Sequence, residues 1–527
     1  MKKIDLNGSW KMKNITEKDW IDAKVPGTVF SDLRHAGLAD DPFYRDNEDK
    51  IQKLFCEDYE YVRTFEVTED AFENDEILLC CEGLDTLADI FLNQKPLAKV
   101  ENMHRTYQFN AREYLVTGTN EIHIVFHSPK KYIDEHAKFS SLPSVLGNTG
   151  VEQLRKAQCM FGWDWGLSLP DMGIWRNIYI ACNKEAVIDD FYFTQEHANK
   201  KVTLQAKLDF KLWTKKLLTT KILVNAPDGR TFSANGVVDA ETKTYTAHIE
   251  IDHPQLWWPN GYGAQPLYEI TLLLKDGDTV IDRKMMQIGL RTIVLSRETD
   301  EWGESYEFVI NGKALFMRGS NLIIEDSVLT GYSAKRTEKM LKDCVAANFN
   351  CIRVWGGSLY PADLFYELCD RLGLVVYQDF MFACHAYPAT EEFLENVKAE
   401  VTDNVKRIRH HACLGLWSGN NEIETIFEIF MGDAPLFVHI RNALHHDKPG
   451  AEQERKLKDD YLKLFGKLIP ETLSVLDPQT SYTRCSSSNI EPFKGDPFDF
   501  NSGDMCQYRG TGGGVWPGAK SSQTKPD

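Results

Sequence analysis

Short runs of alternating apolar and polar residues dominate the first half of the chain. In EIHIVFHS at 121–128, Ile122, Ile124 and Phe126 fall on one face and polar residues on the other, which is the period of two of a half-buried strand. Runs of this kind recur to about residue 180 and predict a β-sheet domain over 1–180. The same period continues over 181–290. It is cleanest in VTLQAKLDF at 202–210, where Val202, Leu204, Ala206, Leu208 and Phe210 alternate with polar neighbours, and a span of about a hundred residues suits a small β-sandwich.

After about residue 290 the period changes. SAKRTEKMLKDCVAANF at 333–349 offers Ser333 as an N-cap and sets Met340, Leu341, Cys344 and Val345 at helical spacing. The strand-like FNCIRVW, 349–355, follows at once. Helix PADLFYELCDRLG, stopped by Gly373, precedes strand LVVYQDF at 374–380; helix EEFLENVKAEVTDNVKRIR at 391–409 precedes strand CLGLWSG at 413–419. Strict alternation predicts parallel βαβ units, here a barrel domain over 291–527. Strand ends of such a barrel share one face, so RVWGG, QDF and SGNNE are expected to open together. SYTRCS at 481–486 reads as the fifth strand and GDMCQY at 503–508 as the start of the sixth. The stretch 430–460 reads as an inserted loop and 509–527 as linker-like.

Composition narrows the function classes. The chain has 527 residues, room for three domains, and a net charge of −18 that would repel phosphate backbones. No nucleic-acid partner is expected. No apolar run approaches the roughly 20 residues that span a bilayer, and the opening MKKIDLNGSWKMK lacks an apolar signal region. Twelve cysteines without a CxxC pair, several in apolar-patterned segments (Cys344, Cys369, Cys413), fit reduced thiols in a cytoplasmic protein. HExxH, EF-hand and Walker patterns are absent, so neither metal nor cofactor is expected, and the histidine pairs at 410–411 and 445–446 read as surface or helix-end residues.

The chemistry-bearing run is LWSGNNE at 416–422. Glycosidic hydrolysis with retention needs one carboxylic acid to protonate the leaving oxygen and a second carboxylate about 5–5.5 Å away to attack the anomeric carbon. Glu422, following a strand end, suits the first role, and the Asn421 amide can hold a sugar hydroxyl. The plainer reading of Glu422 is a solvated helix-start carboxylate, with Glu424 just beyond it.

From residue 6 to about 505 the sequence resembles glycoside hydrolase family 2, in its β-mannosidase branch. The matching blocks are LNGSW at 6–10, VPGTVFSDLRHAGLADDPFYRDNE at 25–48, RKAQCMFGWDWG at 155–166, LWWPNGYGAQPLY at 256–268, IGLRT at 288–292, RVWGGSLYP at 353–361, YQDFMFACHAYP at 377–388 and LWSGNNE. The resemblance implies a jelly-roll sugar-binding domain over 1–180, an immunoglobulin-like β-sandwich over 181–290 and a catalytic (β/α)8 TIM barrel thereafter. It makes Glu422, beyond the fourth strand, the acid/base. It implies that Asp164, beside Trp163, reaches into the sugar subsite, the plainer reading of that WDW loop being aromatic packing between domains, which can hold at the same time. Trp355 and Arg353 correspond to a subsite wall, or a rim aromatic, and a carboxylate-orienting arginine. Asp379 and His411 read as scaffold.

The family's nucleophilic glutamate ends the seventh strand, flanked by serine and an aromatic-glycine pair. No such motif follows Glu422, and Glu424, Glu428, Glu471 and Glu491 lack those flanks. The chain is therefore expected to stop within the barrel, at about the sixth strand, through a shifted reading frame or an early stop. The implied function is a retaining exo-β-mannosidase acting on terminal non-reducing β-D-mannose of oligosaccharides or glycans. The alternatives are a β-galactosidase or β-glucuronidase of the same family, or a carbohydrate-binding fragment without catalysis.

Overall fold

The structure is a computed structural model that describes residues 2–144, 148–488, 492–493 and 504. The first domain stacks two antiparallel sheets. One has four strands in the order Lys2–Asp5, Ile178–Asn183, Glu76–Cys81, Tyr107–Asn110; the other has six, in the order Ile21–Val25, Gly8–Asn14, Tyr59–Val67, Gly118–His127, Leu87–Leu92, Lys95–Glu101. Ile122, Ile124 and Phe126 turn inward, each fully buried against Tyr61, Ile90 and Leu79 in one core, as their alternation predicts.

The second domain is a sandwich of a three-stranded sheet (Ala186–Ala198, Lys201–Leu212, Thr244–Asp252) and a four-stranded one (Thr231–Val238, Leu218–Asn225, Tyr268–Asp276, Thr279–Ile288). Val202, Leu204, Ala206, Leu208 and Phe210 are all buried between them.

The third domain holds five parallel strands in sequence order: Gly319–Leu322, Cys351–Val354, Val375–Asp379, Leu414–Ser418 and Ser481–Thr483. The helices leading into the second, third and fourth of these strands are the predicted ones. Ser333 Oγ accepts from the Arg336 N–H at the start of Ala334–Ala346, and Gly373, at φ 73°, ends Asp363–Leu372 in the left-handed region that favours glycine. Thr390 caps Glu391–Ile408. A short antiparallel meander (Ile293–Ser296, Glu307–Ile310, Lys313–Leu315) precedes the first parallel strand and was not legible as such in the sequence. A Cβ on Gly415 would come within 3.4 Å of Phe308 and 3.7 Å of Ile293, so the meander packs beneath the strand of Glu422, at the end away from the site.

The stretch 430–460 is not a loop. Helices Pro435–Ala443 and Ala451–Tyr461 fill most of it, and the second runs on through Leu462–Leu468 into Ile469–Leu476. Its apolar residues drive this: Leu457, Tyr461, Leu464 and Phe465 are buried in the barrel-side core. The expected sixth strand at 503–508 lies outside the described residues except Asp504, which bridges to Ser488 and accepts a hydrogen bond from the Tyr377 hydroxyl at 3.0 Å. Among the described residues no helix is long and apolar enough to cross a membrane.

Candidate active site

Parallel pairing carries the strand ends to one side. Arg353 pairs with Tyr377, and Asp379 with Ser418. Beyond the fourth strand the sheet continues as single bridges: Asn421 pairs with Ala383 on one side and Ser486 on the other. Gly419 permits this, because a Cβ there would lie 2.2 Å from the Arg484 carbonyl oxygen. The chain then turns at Glu422, whose N–H donates to the Ser486 carbonyl at 2.8 Å and whose φ is 59°. A left-handed backbone at a non-glycine residue costs about 1–2 kcal/mol, and such strain collects at functional sites.

Glu422 is the N-cap of helix Ile423–Met431, yet its side chain makes no capping hydrogen bond. The half-buried carboxyl turns instead toward the third strand's loop, with Oε2 3.5 Å from Cys384 Sγ. It therefore does not behave as the helix-start carboxylate of the plainer reading.

Asn421 is buried. Its Oδ1 accepts from an Arg353 guanidinium N–H at 3.1 Å and its Nδ2 donates to Cys384 Sγ at 3.4 Å. The same guanidinium forks onto Asp379 at 3.2 and 2.7 Å, and the Gly356 N–H adds a third donor at 3.0 Å. Burial pushes the Asp379 carboxyl up, against the opposing pull of Arg353 and the Gly356 N–H. Asp379 thus orients Arg353 rather than facing the site, and His411 is tied to Asp370 at 2.6 Å; both have the scaffold contacts expected of them.

The jelly roll supplies the aromatic side. Phe161–Trp163 pairs with Gly166–Ser168, so Asp164 and Trp165 form the tip of a hairpin. Glu48 Oε1 accepts the Ser168 N–H at 2.6 Å and Gln52 Nε2 donates to the Ser168 carbonyl at 2.7 Å, which clamps the hairpin to the short helix Asn47–Ile51 and the helical turn that follows it. Trp163 and Trp165 meet Trp355 edge-on, at centroid distances of 4.7 and 5.6 Å. Trp355 is only 6% exposed, whereas Trp165 is 37% exposed; the indole that faces outward is the one sequence reasoning did not single out. Asp164 is exposed and hydrogen-bonds to no described residue.

The structure therefore brings Arg353, Asn421 and Glu422 into one hydrogen-bonded group, and Trp163 and Trp355 into one aromatic cluster with Asp164 at its edge. Cys384 was missed. Its signal was its place in FMFACHAYP just past the third strand, on the face where strand ends converge. Asp370, His411 and Cys413 offer ligand atoms within 4.8 Å of one another. Both Asp370 oxygens already accept hydrogen bonds, from His411 and the Cys413 N–H, and Cys413 immediately precedes the fourth strand, at the end away from Glu422.

Three family models match in chain order: "Glycosyl hydrolase 2 galactose-binding domain-like" over residues 10–176, "Glycosyl hydrolases family 2" over 186–291, and "Glycosyl hydrolases family 2, TIM barrel domain" over 304–431. The chain belongs to glycoside hydrolase family 2. Relatives of this family 2 chain include the β-mannosidase of Capra hircus, 32% identical over 96% of this chain and 58% of the goat protein. β-Mannosidase B of Aspergillus oryzae is 29% identical over 98% of this chain and 60% of its own length. Among solved structures, β-D-mannosidase from Dictyoglomus thermophilum superposes with a TM-score of 0.87 at 30% identity, over 96% of this chain and 60% of that one. An exo-chitosanase of Amycolatopsis orientalis, at 16% identity and a TM-score of 0.67, shares the fold. The family 2 chain thus spans about three-fifths of the length of the relatives it matches.

Proposed function

We propose that this chain carries the acid/base half of a retaining exo-β-mannosidase, which removes terminal non-reducing β-D-mannose from oligosaccharides or glycans. The observation that carries the reading is the turn of the Glu422 carboxyl away from its helix and into the group formed with Asn421 and Arg353. In that reading Glu422 protonates the leaving glycosidic oxygen and later draws the proton from water. Asn421, with one Nδ2 proton committed to Cys384, keeps the other for a sugar hydroxyl. Trp163 and Trp165, backed by Trp355, stack against a pyranose face, and Asp164 accepts sugar hydroxyl protons. The β-mannosidase names of the relatives at about 30% identity support mannose over galactose or glucuronate as the sugar.

The reaction also needs a nucleophile, and among the described residues two carboxylates close to Glu422 in sequence or strand order are engaged elsewhere. Asp379 is held by Arg353, and Glu424 accepts from the Tyr461 hydroxyl at 2.6 Å. That favours a second reading for this chain, sugar binding without turnover. Comparing nitrophenyl β-mannoside with the β-galactoside, alongside calorimetric titration with mannose, separates the readings. Mannoside hydrolysis abolished by Glu422→Gln with binding retained supports the enzyme. Mannose binding without hydrolysis supports the binding fragment, and faster galactoside turnover sinks the choice of sugar.

A further inference from the structure

We propose that the Cys384 thiol is a positioning residue for Glu422, the end of a polarised relay that aims one S–H at the carboxyl without strongly acidifying it. This rests on the reading of Glu422 as proton donor. The direction of each link follows from what its neighbour can do. A guanidinium only donates, so the Arg353 contact at 3.1 Å fixes Asn421 with its oxygen toward the arginine. The amide NH2 must then face Cys384 and donate to sulfur at 3.4 Å. With that acceptor position filled, the thiol hydrogen is left to point at Glu422 Oε2, 3.5 Å away.

Asp379 anchors the far end, so the order is Asp379, Arg353, Asn421, Cys384, Glu422, drawn from the second, third and fourth strands. Among the described residues, Arg353 and Asp379 are charged groups linked to the Cys384–Glu422 contact through this chain, and the fifth strand's extension presents the Ser486 carbonyl.

The backbone is built around the same contact. Cys384 has φ 52° and Glu422 φ 59°, and the Cys384 N–H donates to the Asn421 carbonyl at 2.9 Å, so two left-handed residues on adjacent strand extensions meet at the point where sulfur touches carboxyl. Cys384 is 5% exposed, and burial holds its thiol well above the ordinary range, with the Glu422 carboxylate pushing the same way. It stays S–H, a donor and not a nucleophile.

A thiol suits the task chemically. A general acid must keep its proton until the transition state, and a strong donor to its carboxylate would lower its pKa. A hydroxyl at this position would do that, whereas a weak S–H donor fixes the carboxyl's orientation at little cost in acidity.

The test is a titration of Glu422 in the whole chain, followed by NMR with carboxyl-labelled glutamate, the resonance being assigned by its loss in Glu422→Gln. Cys384→Ser is expected to lower the midpoint by about half a unit or more, and Cys384→Ala to raise it, because one strengthens and the other removes a donor. Opposite signs are what a purely structural role would not produce. Midpoints that stay put, or move in the same direction in both variants, overturn the proposal. Should the variants not fold, the infrared S–H band of the unaltered chain replaces them: it is expected to shift as Glu422 ionises and to stay still in Glu422→Gln, and a band equally responsive or equally still in both overturns the proposal. Neither measurement uses a sugar or turnover, so failure to hydrolyse mannosides counts against the proposed function alone, and an unmoved Glu422 midpoint counts against the relay alone.

Discussion

The Arg155 guanidinium of the jelly roll grips the Glu400 carboxylate of the barrel's third helix at 2.9 and 2.7 Å, with both side chains almost fully buried. The Asn102 amide and the Tyr360 hydroxyl also donate to Glu400, and Arg155 lies over the Phe382 ring at 3.8 Å. Burial by itself would push the Glu400 carboxyl up; Arg155 and Asn102 outweigh it and hold it below the ordinary range. Removing one partner of a buried pair leaves an uncompensated charge, so Arg155→Met is expected to destabilise by about 3–5 kcal/mol. Adding Glu400→Gln should recover part of that loss. A depressed carboxyl contributes its stability above the unfolded value and loses it as pH falls, whereas the Met variant is relieved when Glu400 protonates. The gap between the parent and Arg155→Met melting curves should therefore narrow on acidification, and a constant gap would show that the pair is not what the substitution disturbs.

Asp164 offers a cleaner probe of sugar recognition, since it is exposed at a hairpin tip and supports no other described residue. Asp164→Asn should leave the melting temperature within the small range of surface substitutions, about 0.5 kcal/mol. Mannose affinity should fall roughly 10–100-fold, the worth of a hydrogen bond to a charged group. Calorimetric titration checks both points, and unchanged affinity would remove Asp164 from the subsite.

What the sequence discloses here follows from the range of the forces involved. The strands of Ile122 and Leu204 and the helix behind Ser333 are legible because burial on one face imposes a period within ten residues or so. Glu422 is legible because the strand end before it and the asparagine beside it are local. That Trp355 is buried while Trp165 faces outward is set by contact between the jelly-roll hairpin and the second strand end, almost two hundred residues apart, which periodicity cannot report. The second of the helices at 435–461 was obscured by the mixed charges of AEQERKLKDDY, which read as solvated loop. Cys384 was passed over because a cysteine in an apolar run is ordinarily core, and only the turn of the third strand's loop brings it to Glu422.

Gly357 controls the aromatic cluster by having no side chain. A Cβ there would lie 1.9 Å from the Trp355 ring, too close for anything but displacement of the indole. Gly357→Ala should push Trp355 off Trp163 and Trp165 while leaving the Arg353–Asp379 pair in place. Loss of the two edge-on contacts, each about 0.5–1.5 kcal/mol, is expected to weaken mannose binding roughly tenfold. Tryptophan emission should report the change before any sugar is added. Unaltered emission and affinity together would mean that Trp355 does not support the wall.

A buried acid of the jelly roll, Asp171, sets a pH dependence of opposite sign to that of Glu400. Asp171 Oδ1 accepts the Phe30 N–H at 3.0 Å and the Met172 N–H at 2.8 Å, and burial nevertheless pushes its carboxyl up to about 7, against those donors and the Thr28 hydroxyl. A group whose folded pKa is raised contributes fully below its unfolded value, near 4, and loses that contribution as pH rises through the folded value. Asp171→Asn keeps an oxygen for both N–H groups and cannot ionise. Relative to the parent, the Asn variant should therefore gain stability from about pH 4 to pH 7, at up to about 1.4 kcal/mol per unit, with no further gain above that window. Since Asp32, also raised by burial to about 6, is present in both proteins, it cancels from the difference. Denaturant unfolding at a series of pH values measures the difference, and parallel stability curves for the two chains would show that Asp171 is ionised in the folded jelly roll throughout.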